Sequence, residues 1–275
     1  MLIDFHTHTF PDKIAEKTIT LLNQKIKDHF GYYLNPLTDG TVGCLDSVMD
    51  SQGVDLSVIL PIATKATQTE TIINASAQIR NSRLISFATI HPDNDNKAET
   101  LQRIKEMGFV GIKIHPDYQD SFIDSKENLE ILQICEKLGL YTVIHAGIDG
   151  GFPPPHHALP ERIKNTLEYI SGEYLIAAHL GGFLSWDDVE KYLVGTTIYF
   201  DTSMTAGYIE PEQMRRIIVN HGSDKILFGS DCPWNSPSEI LQLLESLSLP
   251  EADLDNIKYR NGAEILGIAL DNIRP

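Results

Sequence analysis

Eight short apolar runs, rich in β-branched and aromatic residues, punctuate the chain. They are LIDFHTH (2–8), LSVILPI (56–62), LISFATIHP (84–92), GFVGIKIHP (108–116), YTVIHAG (141–147), EYLIAAHLGG (173–182), TIYFDTS (197–203) and ILFGSDCPW (226–234). Each is nearly continuous in apolar residues, the pattern of a parallel strand covered on both faces. Helical patterns lie between them. SKENLEILQICEKLG offers Ser125 as N-cap, apolar Leu129, Leu132, Cys135 and Leu138, and Gly139 just past the end. SWDDVEKYLVG offers Ser185 as N-cap with acidic residues in its first turn. EPEQMRRIIVNHG and SPSEILQLLESL follow the same plan.

Strand followed by helix, repeated eight times, predicts an α/β fold: a single-domain (β/α)8 TIM barrel over residues 1–275. An open doubly wound sheet is the competitor, but no GxGxxG turn follows the first run. The one oversized connection, residues 9–55, holds an amphipathic stretch (PDKIAEKTITLLNQKIKDHF) and a short helix ending at Gly53. At that place in a barrel it is expected to act as a lid or active-site insertion.

Composition narrows the partners. A hydrophobic content of 42% is enough for a sizeable core, and a net charge of −16 argues against a nucleic-acid partner. Three cysteines, Cys44, Cys135 and Cys232, are odd in number and far apart, so a disulfide framework is not expected. That usage suits a reducing compartment. With no signal-like segment and no long apolar run, a cytoplasmic protein without a membrane partner is expected. A homo-oligomer is compatible with the sequence, and the expected partner is a small-molecule substrate.

The chemistry shows where the runs end. Asp4, His6 and His8 lie on the first, Lys113 and His115 on the fourth, His145 on the fifth, His179 on the sixth and Asp231 on the eighth. Barrel strands converge at their C-terminal ends, so these side chains become neighbours despite their separation in sequence. His6 and His8, two apart on a strand, share a face and can address one ion. Imidazole and carboxylate suit zinc, manganese or iron. A lone HxH is weak evidence, but four strand ends bearing histidine and a last one bearing aspartate make a metal centre the expected reading. His29 and His221 are read as solvated and His91 as structural. Cys232 has no thiolate-activating partner in sequence.

Taken together, IDFHTH, VIHAG, AAHLGG, LFGSDCPW and the terminal NGAEILGI resemble the amidohydrolase superfamily over essentially the whole chain. The similarity is to its amidohydrolase 2 branch, which includes aminocarboxymuconate-semialdehyde decarboxylase and several lactone hydrolases. TatD-type nucleases carry a glutamate on the fourth strand, where this chain reads GIKIHP, and PHP phosphoesterases want a histidine soon after the late aspartate, which SDCPW lacks. The resemblance implies that His6, His8 and His145 ligate one divalent ion, most simply zinc, with manganese or iron as alternatives. Asp231 would be a further ligand that also accepts a proton. His179 would polarise substrate, assist proton transfer or bind a second metal. A second metal would need a carboxylated Lys113, with His115 and His179 nearby. Otherwise Lys113 pairs with Asp4 or anchors a substrate carboxylate.

The activity implied is hydrolysis of a small amide, ester or lactone by metal-activated water. The alternative is a non-oxidative decarboxylase or hydratase of a small carboxylated substrate, and a non-catalytic binding barrel is the third reading. For substrate contacts the sequence offers Lys65 and Arg162 near strand-end loops, His156 and His157 in the rigid GFPPPHHALPE loop, and Trp186 and Trp234 just past strand ends.

Overall fold

The computed structural model describes residues 1–79 and 82–269. Nine strand segments form the barrel: β1 (Ile3–Thr7), β2 (Leu56–Ile59), β3 (Leu84–Ser86), β4 (Ala88–Thr89), β5 (Gly111–Ile114), β6 (Tyr141–Ile144), β7 (Leu175–Ala177), β8 (Tyr199–Asp201) and β9 (Ile226–Leu227). β3 and β4 are two pieces of a single barrel strand, interrupted at Phe87. All neighbouring strands pair in parallel, in the orders β1-β2-β3 and β4-β5-β6-β7-β8-β9. The seams close the cylinder. Phe87 N–H donates to Ile59 O at 2.9 Å, Phe5 N–H to Phe228 O at 2.8 Å and Asp231 N–H to His6 O at 2.8 Å. This is the TIM barrel expected from the eight runs.

The helices are α1 (Ala15–Phe30), α2 (Val42–Gln52), α3 (Thr69–Ser76), α4 (Lys97–Glu106), α5 (Lys126–Leu138), α6 (Pro160–Thr166), α7 (Trp186–Tyr192), α8 (Pro211–His221), α9 (Pro237–Ser246), α10 (Glu251–Asp255) and α11 (Asn261–Leu266). α5 begins as its sequence predicts, with Ser125 Oγ accepting from Asn128 N–H at 3.3 Å and Gly139 ending it in the left-handed region. Ser185 precedes α7, but its side chain makes no capping bond; its backbone, at φ −132° and ψ 30°, lies outside the extended region that N-caps favour. The 9–55 insertion supplies α1 and α2, each stopped by a left-handed glycine, Gly31 and Gly53.

Apolar residues divide into two cores. One includes Phe5, Val58, Phe87, Val143, Ile176, Tyr199 and Leu227, with Ala263 and Ile265 of α11. Residues drawn from strands all round the cylinder meet only in its interior, so this is the barrel filling. The other packs alternate strand residues, such as Ile59, Ile112, Ile114 and Ile144, with residues of the surrounding helices, such as Ile104, Leu132 and Ile217. Burial on both sides is why the runs read as continuously apolar. β5 contributes Gly111 at the point where a Cβ would lie 2.6 Å from the Phe87 ring and 2.2 Å from Tyr141 O.

The strands are shorter than their runs. β7 stops at Ala177, and His179 and Leu180 then adopt φ of 60° and 53°; past β9, Asp231 sits at φ 72°. Two of these left-handed non-glycine positions, His179 and Asp231, are candidate site residues, and such strain is held in place only by its surroundings. Among the described residues no helix is long and apolar enough to cross a membrane.

Candidate metal centre and active site

At the C-terminal mouth of the barrel three ligand-type atoms converge. His6 Nε2 and His8 Nε2 are 3.2 Å apart, and Asp231 Oδ1 lies 3.4 Å from the first and 3.0 Å from the second. β1 slips register against β2 between Asp4 and Thr7, an irregularity of the kind that re-aims side chains.

Each histidine is oriented by its other nitrogen. His8 Nδ1 donates to Leu60 O at 2.8 Å; a carbonyl only accepts, so Nδ1 carries a proton and Nε2 is the atom turned toward the trio. His6 Nδ1 donates to Asp201 Oδ2 at 2.8 Å. Burial, then the nearby Lys113 ammonium, hold the His6 ring well below its ordinary pKa, and its Nε2 presents a lone pair. Asp231 is buried, yet the surrounding histidines, His6 first, hold its carboxyl below the usual carboxylate range. With both rings neutral, as metal-bound imidazoles must be, these are three ligand atoms facing one another. A tetrahedral zinc with bonds of 2.0–2.1 Å spaces its nitrogen ligands by about 3.3 Å, close to the separations seen. The residues fit a divalent cation.

Asp4 stands behind this trio. Its carboxylate accepts from Ser230 N–H at 2.9 Å, Ser230 Oγ at 2.5 Å and His6 N–H at 3.2 Å, tying the first strand to the last. Burial lifts its pKa to about 7 despite these bonds.

His145 lies outside the trio. Its ring stacks on His115 at 4.2 Å and 10°, and its ligand atoms group with those of His115 and Asp149. Asp149 Oδ2 is 3.1 Å from His115 Nε2. Its other neighbour is His179, whose Nε2 is 3.0 Å from His145 Nδ1. The protons along this chain can be assigned. The Ser203 hydroxyl donates to Asp201 Oδ1, so Ser203 Oγ accepts from His179 Nδ1–H at 2.8 Å. Burial lowers the pKa of both His179 and His145, which makes the rings neutral. His179 Nε2 therefore accepts from His145 Nδ1–H. His145 Nε2 is left as a buried lone pair without a hydrogen-bond partner, the state of a ligand nitrogen.

A cavity of about 570 Å³ opens over these groups. His6, His8, Lys113, His115, His145, His179, Asp231 and Trp234 all line it. Lys113 Nζ reaches within 3.3 Å of His6 Nε2, and burial brings its pKa down to about 8. Among the described residues the wall does not include Lys65, His156, His157, Arg162 or Trp186. Lys65 is exposed beside the wall residues Thr64 and Thr67. His157 bonds Asp117 through its backbone N–H (3.1 Å) and Nδ1 (2.9 Å), and His156 Nδ1 lies 3.9 Å from the same oxygen. Arg162 pairs with Asp124 at 2.8 Å and stacks 3.9 Å from the Phe122 ring centroid. Trp186 packs beneath His179 and donates Nε1–H to its carbonyl at 3.1 Å, supporting the left-handed turn.

Asp149, Asp201 and Ser203 join the constellation without having been singled out from sequence. Asp201 ends β8, within the seventh apolar run, and the strand-end criterion that selects Asp231 selects it equally. The reading of His221 from sequence changes. His221 is buried, not solvated: its ring stacks on Phe200 at 4.0 Å, and its Nε2 donates to Ile198 O at 2.9 Å. Burial pushes the Cys232 thiol pKa up, which leaves it without thiolate character.

Solved structures share the fold over nearly the full chain. A 5-carboxyvanillate decarboxylase from Sphingomonas paucimobilis superposes with a TM-score of 0.69 at 16% identity, covering 98% of this chain and 99% of that one. A dihydroxybenzoic acid decarboxylase from Polaromonas sp. JS666, with bound manganese and the inhibitor 2-nitroresorcinol, gives 0.67 at 17% identity, covering 97% and 96%. A probable 2-pyrone-4,6-dicarboxylic acid hydrolase from Acinetobacter baumannii, with citric acid bound, gives 0.67 at 16%, covering 97% and 99%. Among curated protein sequences none matches. The amidohydrolase family model Amidohydro_2 matches residues 3–268, and the chain belongs to that family.

Proposed function

We propose that the protein is a metal-dependent, non-oxidative decarboxylase of a small carboxylated substrate. The observation that carries this reading is the Lys113 ammonium, buried beside the His6–His8–Asp231 trio at the end of a mainly apolar cavity. Loss of carbon dioxide turns a localised carboxylate charge into a delocalised carbanion and a neutral gas. An apolar surround penalises the first more than the second. The solved decarboxylases that share the fold support the same choice, and the manganese in one of them supports a divalent ion here.

His6, His8 and Asp231, with His145 Nε2 as a further donor, would hold a divalent ion, which would supply Lewis-acid chemistry. Lys113 orients the carboxylate. The C–C bond to the carboxylate breaks, its electron pair stays on the substrate carbon, and carbon dioxide departs. That carbon then takes a proton from solvent, which replaces the departed carboxylate. Hydrolysis is the second reading, favoured by the Asp231 carboxylate as a ready proton acceptor and by the probable 2-pyrone-4,6-dicarboxylic acid hydrolase that shares the fold.

Metal-loaded protein assayed against carboxylated phenols and lactones decides between them. Release of carbon dioxide with formation of the decarboxylated product is expected. Lactone opening without carbon dioxide from any acid in the panel would overturn the decarboxylase reading.

A further inference from the structure

The cavity is far larger than a carboxylated ring requires. It offers about 570 Å³ and is open to solvent on one side, whereas a closed cavity of roughly 150 Å³ accommodates benzene. Its far wall is apolar. Helix α1 buries Ala15 and Ile19, with Ile19 packed on Gly40. A second face of the same helix, Thr18, Leu22, Ile26 and Phe30, recurs every four residues along the cavity. Ile14, Leu22 and Ile26, with Ile62 and Ile72 from the β2–α3 side, line the cavity yet belong to neither hydrophobic core. Their apolar surface faces the cavity.

α1 is clasped in this position. Lys25 Nζ lies 5.1 Å and 4.8 Å from the ring centroids of Tyr118 and Phe152, and Phe30 covers Gly150, where an added Cβ would meet its ring at 2.9 Å. Apart from histidines, the charged residues of the described wall are Lys113, Asp149 and Asp231. Asp149 is already engaged by His115 at 3.1 Å and by Gly151 N–H at 2.6 Å. The α1 residues that line the cavity are uncharged, and Lys25, outside the lining, sits over the Tyr118 and Phe152 rings, so a second anionic group placed against the α1 lining would be desolvated by apolar side chains.

We infer that the substrate is a monocarboxylic acid whose acid group sits at Lys113 and the histidine–aspartate trio, and whose apolar body, larger than one ring, lies against the inner face of α1. The placement of the acid rests on the decarboxylase reading; the apolar body does not. Calorimetric titration of manganese-loaded protein with 2-hydroxybenzoates bearing linear alkyl groups from methyl to hexyl tests it, with isophthalate as the dicarboxylate. Kd should fall roughly fourfold per added methylene, and isophthalate should bind more weakly than the hexyl compound. In the Leu22→Gln/Ile26→Gln variant, whose half-exposed sites leave folding checkable by its melting curve, the gain should shrink below about twofold per methylene. A Kd independent of chain length, tighter binding of isophthalate, or no saturable binding by any alkyl compound would overturn the inference. Carbon dioxide release is measured separately on the same compounds. Chain-length dependence without it overturns the decarboxylase reading alone, and release without chain-length dependence overturns this inference alone.

Discussion

Ser203 Oγ lies 2.8 Å from His179 Nδ1 while its single proton is directed at Asp201, so the hydroxyl sets the tautomer of an imidazole on another strand. The assignment then propagates to His145, whose Nδ1–H must point at His179 Nε2. Ser203→Ala removes the acceptor that fixes this order. Turnover of an identified substrate is expected to fall roughly 10–100-fold, with a smaller change in KM. Nitrogen NMR of the imidazoles should show His179 losing its single tautomer. An unchanged tautomer and unchanged turnover would show that the serine only fills space.

The converging ligand atoms of His6, His8 and Asp231 predict metal-linked stability. Chelator-treated protein given manganese or zinc at about a hundredfold over Kd gains about 2.7 kcal/mol. For a chain of this size that is a rise in Tm of about 5–10 °C. Asp231→Asn, which removes the anionic donor, should abolish most of the rise. Metal content by mass spectrometry should fall in parallel.

His221 predicts a pH effect remote from the metal centre. Burial lowers its pKa below the ordinary 6.5, and its Nδ1 accepts from Gly195 N–H at 3.2 Å, a bond that ring protonation destroys. The folded protein prefers the neutral ring. Its contribution is therefore complete above about pH 6.5 and is lost as pH falls below that value toward the lowered one. The slope is at most about 1.4 kcal/mol per pH unit. Urea unfolding of wild type and His221→Phe should show a stability gap at pH 7 that narrows at pH 5. A gap equal at both would refute the assignment.

Gly147 carries the chain past the site at φ +92°, and a Cβ there would lie 2.2 Å from Phe183 N and 2.4 Å from Phe183 O. Both neighbours are backbone and cannot swing away. Gly147→Ala should cost about 3 kcal/mol and reduce soluble yield. Denaturant melts compared with an alanine at open Gly195, where nothing stands within 4 Å of the added carbon, separate the clash from the conformational penalty.

Much of this molecule is legible in one dimension. The eight apolar runs determine eight parallel strands, because burial on both faces imprints a continuous pattern that needs no knowledge of neighbours. Strand-end histidines and the late aspartate identify the mouth of the barrel, since the topology sends every strand C-terminus to one place. Ser125 and Gly139 mark the ends of α5 for local reasons.

Other features depend on which groups face each other across the barrel. No pattern in sequence separates His145 from the His6–His8–Asp231 trio, or joins it to His115 and Asp149. Asp201 and Ser203 look like an ordinary strand end until they close on His6 and His179 from the opposite wall. Trp186 follows a strand end as Trp234 does, yet one supports the His179 turn and the other lines the cavity. Arg162 and Lys65 read as substrate-binding cations, but Arg162 pairs with Asp124 and Lys65 stays in solvent. Periodicity reports whether a residue is buried; hydrogen-bond direction, tautomer and cavity shape belong to pairs of residues far apart in the chain, and only the closed barrel decided them.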